Sequence, residues 1–180
     1  RPDFPDAVYT QHPCGDFSVN MLPTMEGAEF LSQPPEAAYE ECRRRVMAHW
    51  RDSQRRFSEF RRCRLAWTAP ALGIRETRRI VGDAVLTLEH FHGRSSFTDE
   101  IGRYSYPVDI HAAKPDIGSF NQFLKDHTEL RYKKGESYGI PYGCLVPENL
   151  TNVLTAGRCV STDRYMQSSI RVMPGCYITG

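Results

Sequence analysis

Asn152-Val-Leu-Thr-Ala-Gly-Arg-Cys-Val-Ser161 and, close behind it, Ser168-Ser-Ile-Arg-Val-Met-Pro-Gly-Cys176 decide how the rest of the chain is read. Val153, Leu154 and Ala156 form a short apolar run of the length of a buried strand, and it stops at Gly157. A glycine where a strand ends admits backbone close to a ligand that a Cβ would repel. Arg158 follows at once, a fixed cation whose planar fork suits phosphate or carboxylate. Pro174 reads as the first residue of a helix, where its missing N–H costs nothing. Strand, glycine-arginine turn and helix start together make a place to hold an anionic ligand, or an ordinary strand–turn–helix.

Upstream, Gly73-Ile-Arg-Glu-Thr-Arg-Arg-Ile-Val-Gly82 gathers Arg75, Glu76, Arg78 and Arg79. Read as extended chain, Arg75 and Arg79 face one way while Glu76 and Arg78 face the other. One face then offers guanidinium groups to a carboxylate, or the whole is a surface ladder of salt bridges. In Tyr106-Pro-Val-Asp-Ile-His111, Asp109 and His111 share a strand face. A carboxylate beside an imidazole fixes its tautomer and suits proton transfer, or makes a local hydrogen bond. Tyr142 and Cys144, in Ile140-Pro-Tyr142 and Cys144-Leu-Val-Pro147, are placed on one strand face as pocket lining or as core.

Taken in order, these segments resemble the FAD-dependent oxidoreductase family, relatives of the fumarate reductase and glutathione reductase type flavoproteins. The family pattern runs strand, Ala-Gly-Arg-Cys-Ile-Ser, a short gap, then Gly-Ser-Ile-Arg-Val-Met-Pro and a helix. Ser168 stands where the family has glycine, and Gly143 where it usually has a basic residue. The resemblance spans roughly residues 66 to 180. It implies an α+β fold, a fragment of a two-domain flavoprotein. Residues 1–147 would be a portion of the mixed-sheet substrate domain, with an arginine-rich helix over about 36–64, and residues 148–180 the returning segment of the FAD-binding domain. It implies FAD as cofactor, contacted by Gly157, Arg158, Ser161, Arg171 and Pro174, with the helix near Pro174 aiming its positive end at the flavin. It further implies hydride transfer between a small, anionic organic substrate and the flavin. Arg75, Arg78, Asp109 and His111 would act on substrate or proton, and Arg79, Tyr142 and Cys144 would line the pocket.

Composition narrows the partners. A net charge of +1 argues against binding nucleic acid or membrane by bulk electrostatics. No apolar run approaches the eighteen or so residues of a membrane span. The six cysteines never form Cys-x-x-Cys or pair with histidine at zinc spacing, so they read as reduced, buried thiols with no metal, and the default compartment is cytoplasmic. The sequon at Asn149 is weak evidence against that compartment. No Gly-x-Gly-x-x-Gly occurs. The resemblance places that fingerprint upstream, so a fragment is expected, inactive alone, whose partner is the N-terminal FAD-binding portion of the same protein.

The remaining elements follow from periodicity. Phe17–Leu22 alternates as a strand. From Glu36 to about Arg64, Tyr39, Cys42, Val46, Trp50, Ser53, Phe57 and Phe60 recur at helical steps. Nine arginines lie between Arg43 and Arg64, opposed only by Asp52 and Glu59. They are either a solvated basic face or a non-catalytic docking surface for an acidic partner or nucleic acid. Strands are expected at Ile80–Thr87, Tyr104–His111, Ser137–Pro147 and Asn152–Ala156, and helices from Thr87 (as N-cap) to His92 and at Phe97–Arg103. Residues 112–134 read as loop, and His49, His90, His92 and His127 as surface or packing residues.

Overall fold

A computed structural model describes residues 8–20, 24–110, 125 and 128–180. The described residues fall into two compact units that meet in sequence at Thr77 and Arg78. The 147/148 boundary therefore lies inside the second unit.

In the first unit, strands β1 (Val8–Gln11) and β2 (Phe17–Asn20) pair antiparallel, with Thr10 opposite Ser18. The turn between them closes through His12 and Asp16 and uses Gly15 at φ +90°, a conformation an L side chain resists. Helix α1 (Gly27–Leu31) starts against backbone: a Cβ on Gly27 would sit 2.5 Å from the Glu76 carbonyl oxygen. Helix α2 spans Pro35–Arg56, with Pro35 at its start, where proline is tolerated, and Ala38, Cys42 and Ser53 buried. The helix stops short of the expected Arg64. At Phe57 the backbone turns extended and a single 3-10 turn, Ser58–Phe60, follows. The reason is packing: Phe60 is buried with Phe17, Trp50 and Phe57 around it at ring separations of 6.3, 6.0 and 6.4 Å, which a continuing helix would not allow.

In the second unit, Thr87 caps helix α3 (Leu88–Gly93) as expected, in a capping box whose return bond runs from Thr87 N–H to His90 Nδ1 at 3.0 Å. Arg94 ends it in the left-handed conformation. The helix expected over Phe97–Arg103 is instead largely strand β3 (Glu100–Tyr104), because it finds an antiparallel partner in β4 (Tyr138–Pro141). Ile80–Thr87 is not a strand. It carries only isolated bridges, Gly82 to Pro147 and Leu86 to Thr162. Residues 105–110 and 152–156 are likewise irregular, and Val153 and Leu154 are exposed (44% and 58%) rather than buried. Helices α4 (Arg164–Ile170) and α5 (Met173–Thr179) close the unit, with Pro174 second in its helix, not first. Mixed helix and short strands agree with the α+β expectation.

The core of this unit joins Leu86, Phe91, Val108, Tyr138, Ile140, Cys144, Leu145, Val160, Met166 and Ile170. Phe91 stacks on Tyr132 at 4.2 Å, and the Tyr132 hydroxyl donates to the Phe91 carbonyl. Among the described residues no helix is long and apolar enough to cross a membrane. Of the six cysteines, all free, only Cys42 and Cys144 are buried, and Cys14 is exposed.

Burial pushes the Cys144 thiol up to about 11 and the Tyr132 phenol up to about 12. A folded-state pKa above the unfolded one contributes stability that is complete below the unfolded value and lost as pH rises through the folded one. Chemical denaturation from pH 8 upward should therefore show stability falling between about pH 9 and 11, by roughly 2 kcal/mol from Cys144. Cys144→Ala should flatten that part of the curve. An unchanged slope in the variant would assign the loss to the tyrosines alone.

Candidate functional site

Three of the sequence motifs are drawn together in the second unit by backbone rather than by side-chain chance. Residues 80–86 run alongside 159–163: Ile80 N–H donates to the Cys159 carbonyl at 2.9 Å, Leu86 N–H to Ser161 at 3.1 Å, and Asp163 N–H to Leu86 at 2.9 Å. Gly82 is the close approach. Its N–H donates to Ser161 Oγ at 3.1 Å, and a Cβ there would meet Ser161 Cβ at 2.8 Å and the Gly143 and Val146 carbonyls at 3.0 Å. Ser161, expected at the cofactor, is thus buried and engaged with Gly82. Arg79 and Arg158, each one residue before a paired position, stand on neighbouring segments. Arg78 and Arg158 are exposed and Arg79 half-buried. Arg75, half-buried, belongs to the first unit.

The second junction is polar and buried. Helix α4 grips residues 106–109 through three side chains. Ser169 Oγ donates to the Tyr106 carbonyl at 2.6 Å and meets the Tyr138 hydroxyl at 2.9 Å. Ser168 Oγ donates to the Tyr165 carbonyl at 2.6 Å and accepts the Asp109 N–H at 3.0 Å. Arg171 Nη2 donates to the Asp109 carbonyl at 2.9 Å and lies 3.6 Å from its carboxylate, both side chains 9% exposed. A glycine at 168 would lack the hydroxyl that holds Asp109 here. Arg171 faces Asp109 rather than the surface, and Asp109 is held in this network. His111 lies outside the described residues.

The third junction is the turn itself. Gly157 starts a 3-10 turn, Gly157–Cys159, at φ +76°, and its N–H donates to Thr179 Oγ1 at 2.9 Å. A Cβ would meet Cys176 Sγ at an ordinary 3.6 Å, so the conformation, not the space, demands glycine. At Gly175 space decides: a Cβ would lie 2.2 Å from the Ile170 carbonyl. Next to this turn Arg158 is exposed, and Leu154, Met173 and Tyr177 leave apolar side chains in solvent, the last two at 70% and 76%. Pro174 is exposed at the helix start. An exposed guanidinium and exposed apolar side chains on these segments are the residue types that fit FAD, a ligand apolar at its ring and anionic at its pyrophosphate.

Tyr142 and Cys144 do not share a face. A 3-10 turn, Tyr142–Cys144, replaces the expected strand, leaving Tyr142 43% exposed and Cys144 buried in the core. Sequence reasoning also missed Asp163. Its Oδ1 accepts Met166 N–H in the first turn of α4, and its Oδ2 accepts Leu88 N–H, the first residue of α3, both at 2.7 Å. The signal was present: an Asp just ahead of a stretch with Met166 and Ile170 one turn apart.

Asp163→Ala should cost about 2–3 kcal/mol, since two helix starts lose their acceptor together, and Asp163→Asn less. Urea unfolding checks this. A cost under about 0.5 kcal/mol would mean that the caps are idle. Arg171→Met, which removes the guanidinium beside a buried carboxylate, should destabilise by about 3 kcal/mol, and Asp109→Asn in the same chain should recover part of that.

A family model described as FAD dependent oxidoreductase matches residues 4–180. No curated protein and no solved structure matches the chain. With nearly the whole sequence under that one model, the chain belongs to the FAD dependent oxidoreductase family, whose cofactor is FAD.

Proposed function

We propose that this oxidoreductase moves a hydride between a small, anionic organic substrate and FAD, and that the surface around Gly157 and Arg158 faces the cofactor. The observation that supports the reading is the pairing of Ile80 with Cys159, since Arg79 and Arg158 each precede a paired residue and Arg78 is next in sequence. Bound FAD supplies the two-electron chemistry. The chain's own groups bind and orient. Arg158 is assigned to the anionic part of the cofactor, with exposed Leu154 and Met173 covering apolar ring surface. Arg78 and Arg79 are assigned to a substrate carboxylate, for which a guanidinium fork gives bidentate recognition.

Asp109 takes a supporting part in this scheme. Ser168 and Arg171 hold the backbone of Asp109, two residues ahead of His111 in sequence. His111 is assigned the proton that accompanies hydride transfer, the imidazole being the side chain suited to that exchange. Tyr142, exposed next to the core, is the remaining candidate for substrate contact. The Rossmann-type fingerprint that would hold the rest of FAD is not among these 180 residues, and its counterpart is assigned to the N-terminal FAD-binding portion.

The test is flavin content of the purified full-length protein, read from its visible absorption and from flavin released on denaturation. The wild type should carry FAD. Arg158→Ala should weaken FAD binding about tenfold, near 1.4 kcal/mol. Arg78→Ala should keep its flavin but lose the spectral response of that flavin to added simple carboxylates such as acetate and succinate. A colourless protein that takes up no added FAD would sink the proposal.

A further inference from the structure

The arginine-rich segment of the first unit plays no part in the site described above, and apart from Arg43, exposed near the middle of the helix, its arginines sort into two sets. Arg44, Arg45 and Arg56 are spent within the unit. Arg44 grips Glu41 through both carboxylate oxygens at 2.7 and 2.6 Å, and Arg56 pairs with Asp52 at 3.1 Å. Arg45 joins Glu41 to Glu29 of α1 and also donates to the Thr24 carbonyl at 2.6 Å. Arg51, Arg55, Arg61, Arg62 and Arg64 are all exposed and have no ion-pair partner among the described residues.

Their placement is organised. Arg51 and Arg55 stand one helical turn apart on α2, on the same stripe as Arg44. Gln54 Nε2 donates to the Cys63 carbonyl at 2.9 Å, which folds the segment carrying Arg61, Arg62 and Arg64 back onto the end of that helix. From there the chain returns along α2 to Ala69, whose carbonyl accepts the Tyr39 hydroxyl at 3.3 Å. On that return stretch Trp67 is 75% exposed, with Leu65 also exposed. Helix C-terminal cations complement the macrodipole, but that accounts for Arg55 and Arg56 and not for a cluster of five beside an uncovered tryptophan.

From this we infer that the end of α2, with the returning stretch, is a docking surface for an acidic segment of a partner protein that carries carboxylates one helical turn apart and an apolar side chain. The choice of carboxylate over phosphate rests on three observations. The same helix already holds a carboxylate of a neighbouring helix in this way, since Glu29 of α1 is bound by Arg45. The two guanidinium groups on Glu41 are strong enough to hold its carboxyl down to about 2. The chain as a whole carries only +1, too little for the general attraction that nucleic acids exploit. Arginine and tryptophan are also the side chains that most often dominate protein–protein contacts.

The test uses the full chain and a fluorescent synthetic helical peptide with Glu at i and i+4 and one Leu, alongside a single-stranded oligonucleotide of equal charge. The peptide should bind, and more weakly as salt rises. Arg51→Glu with Arg55→Glu should raise its Kd about tenfold or more. Arg51→Gln with Arg55→Gln, gentler on the fold, should raise it less, and Trp67→Ala should weaken binding without changing its salt dependence. Unchanged circular dichroism and flavin content would show that the variants are folded. Absence of peptide binding, tighter binding of the oligonucleotide, or variants that bind like wild type would each overturn the inference.

Discussion

One carboxylate organises the second unit. Asp163 presents one oxygen to the start of α3 and the other to the start of α4, so two positive helix ends share a single negative charge. Each helix is short, of six and seven residues, and on its own would be marginal in water. Their stability is borrowed from this shared cap and from the core that Phe91, Met166 and Ile170 build between them. Because the cap fixes α4, it also fixes Ser168, Ser169 and Arg171, the three side chains that hold residues 106–109.

The region assigned to the cofactor is therefore built from a rigid interior and an open rim. Inside, Gly82 and Gly175 allow backbone to pack where any side chain would collide, and buried hydroxyls satisfy the carbonyls and N–H groups that irregular chain leaves unpaired. On the rim, Arg158 and a set of apolar side chains meet solvent. The two layers do different jobs. The interior is held by hydrogen bonds and close backbone packing, and the rim is exposed to solvent.

The sequence made the motifs legible and their secondary structure much less so. The Thr87 cap and the long helix after Pro35 followed from local rules, whereas Gly157, read as a strand end that admits close approach, is required by its positive φ instead. What failed was the assignment of apolar runs to strands. Val153 and Leu154 have the composition of a buried strand but find no ladder, and their side chains lie exposed. Periodicity cannot separate an apolar residue that faces core from one that awaits a ligand or partner. Phe97–Arg103 erred the other way, since only the pairing of Glu100–Tyr104 with Tyr138–Pro141, far off in sequence, makes it a strand. Tyr142 and Cys144 parted because a single tight turn breaks the two-residue alternation. Arg171, which a motif-based expectation assigns to the cofactor, also reaches the Asp109 carbonyl and carboxylate. Residue identity alone does not say which way a long side chain swings.

The shared cap at Asp163 also bears on how this part of the molecule breathes. Helices that depend on separate acceptors fray independently, each opening at its own cost. Here release of one start disturbs the oxygen pair that serves the other, so backbone amides at Leu88 and Met166 should exchange with solvent as a single cooperative unit, at matched rates, even though 78 residues of sequence separate them.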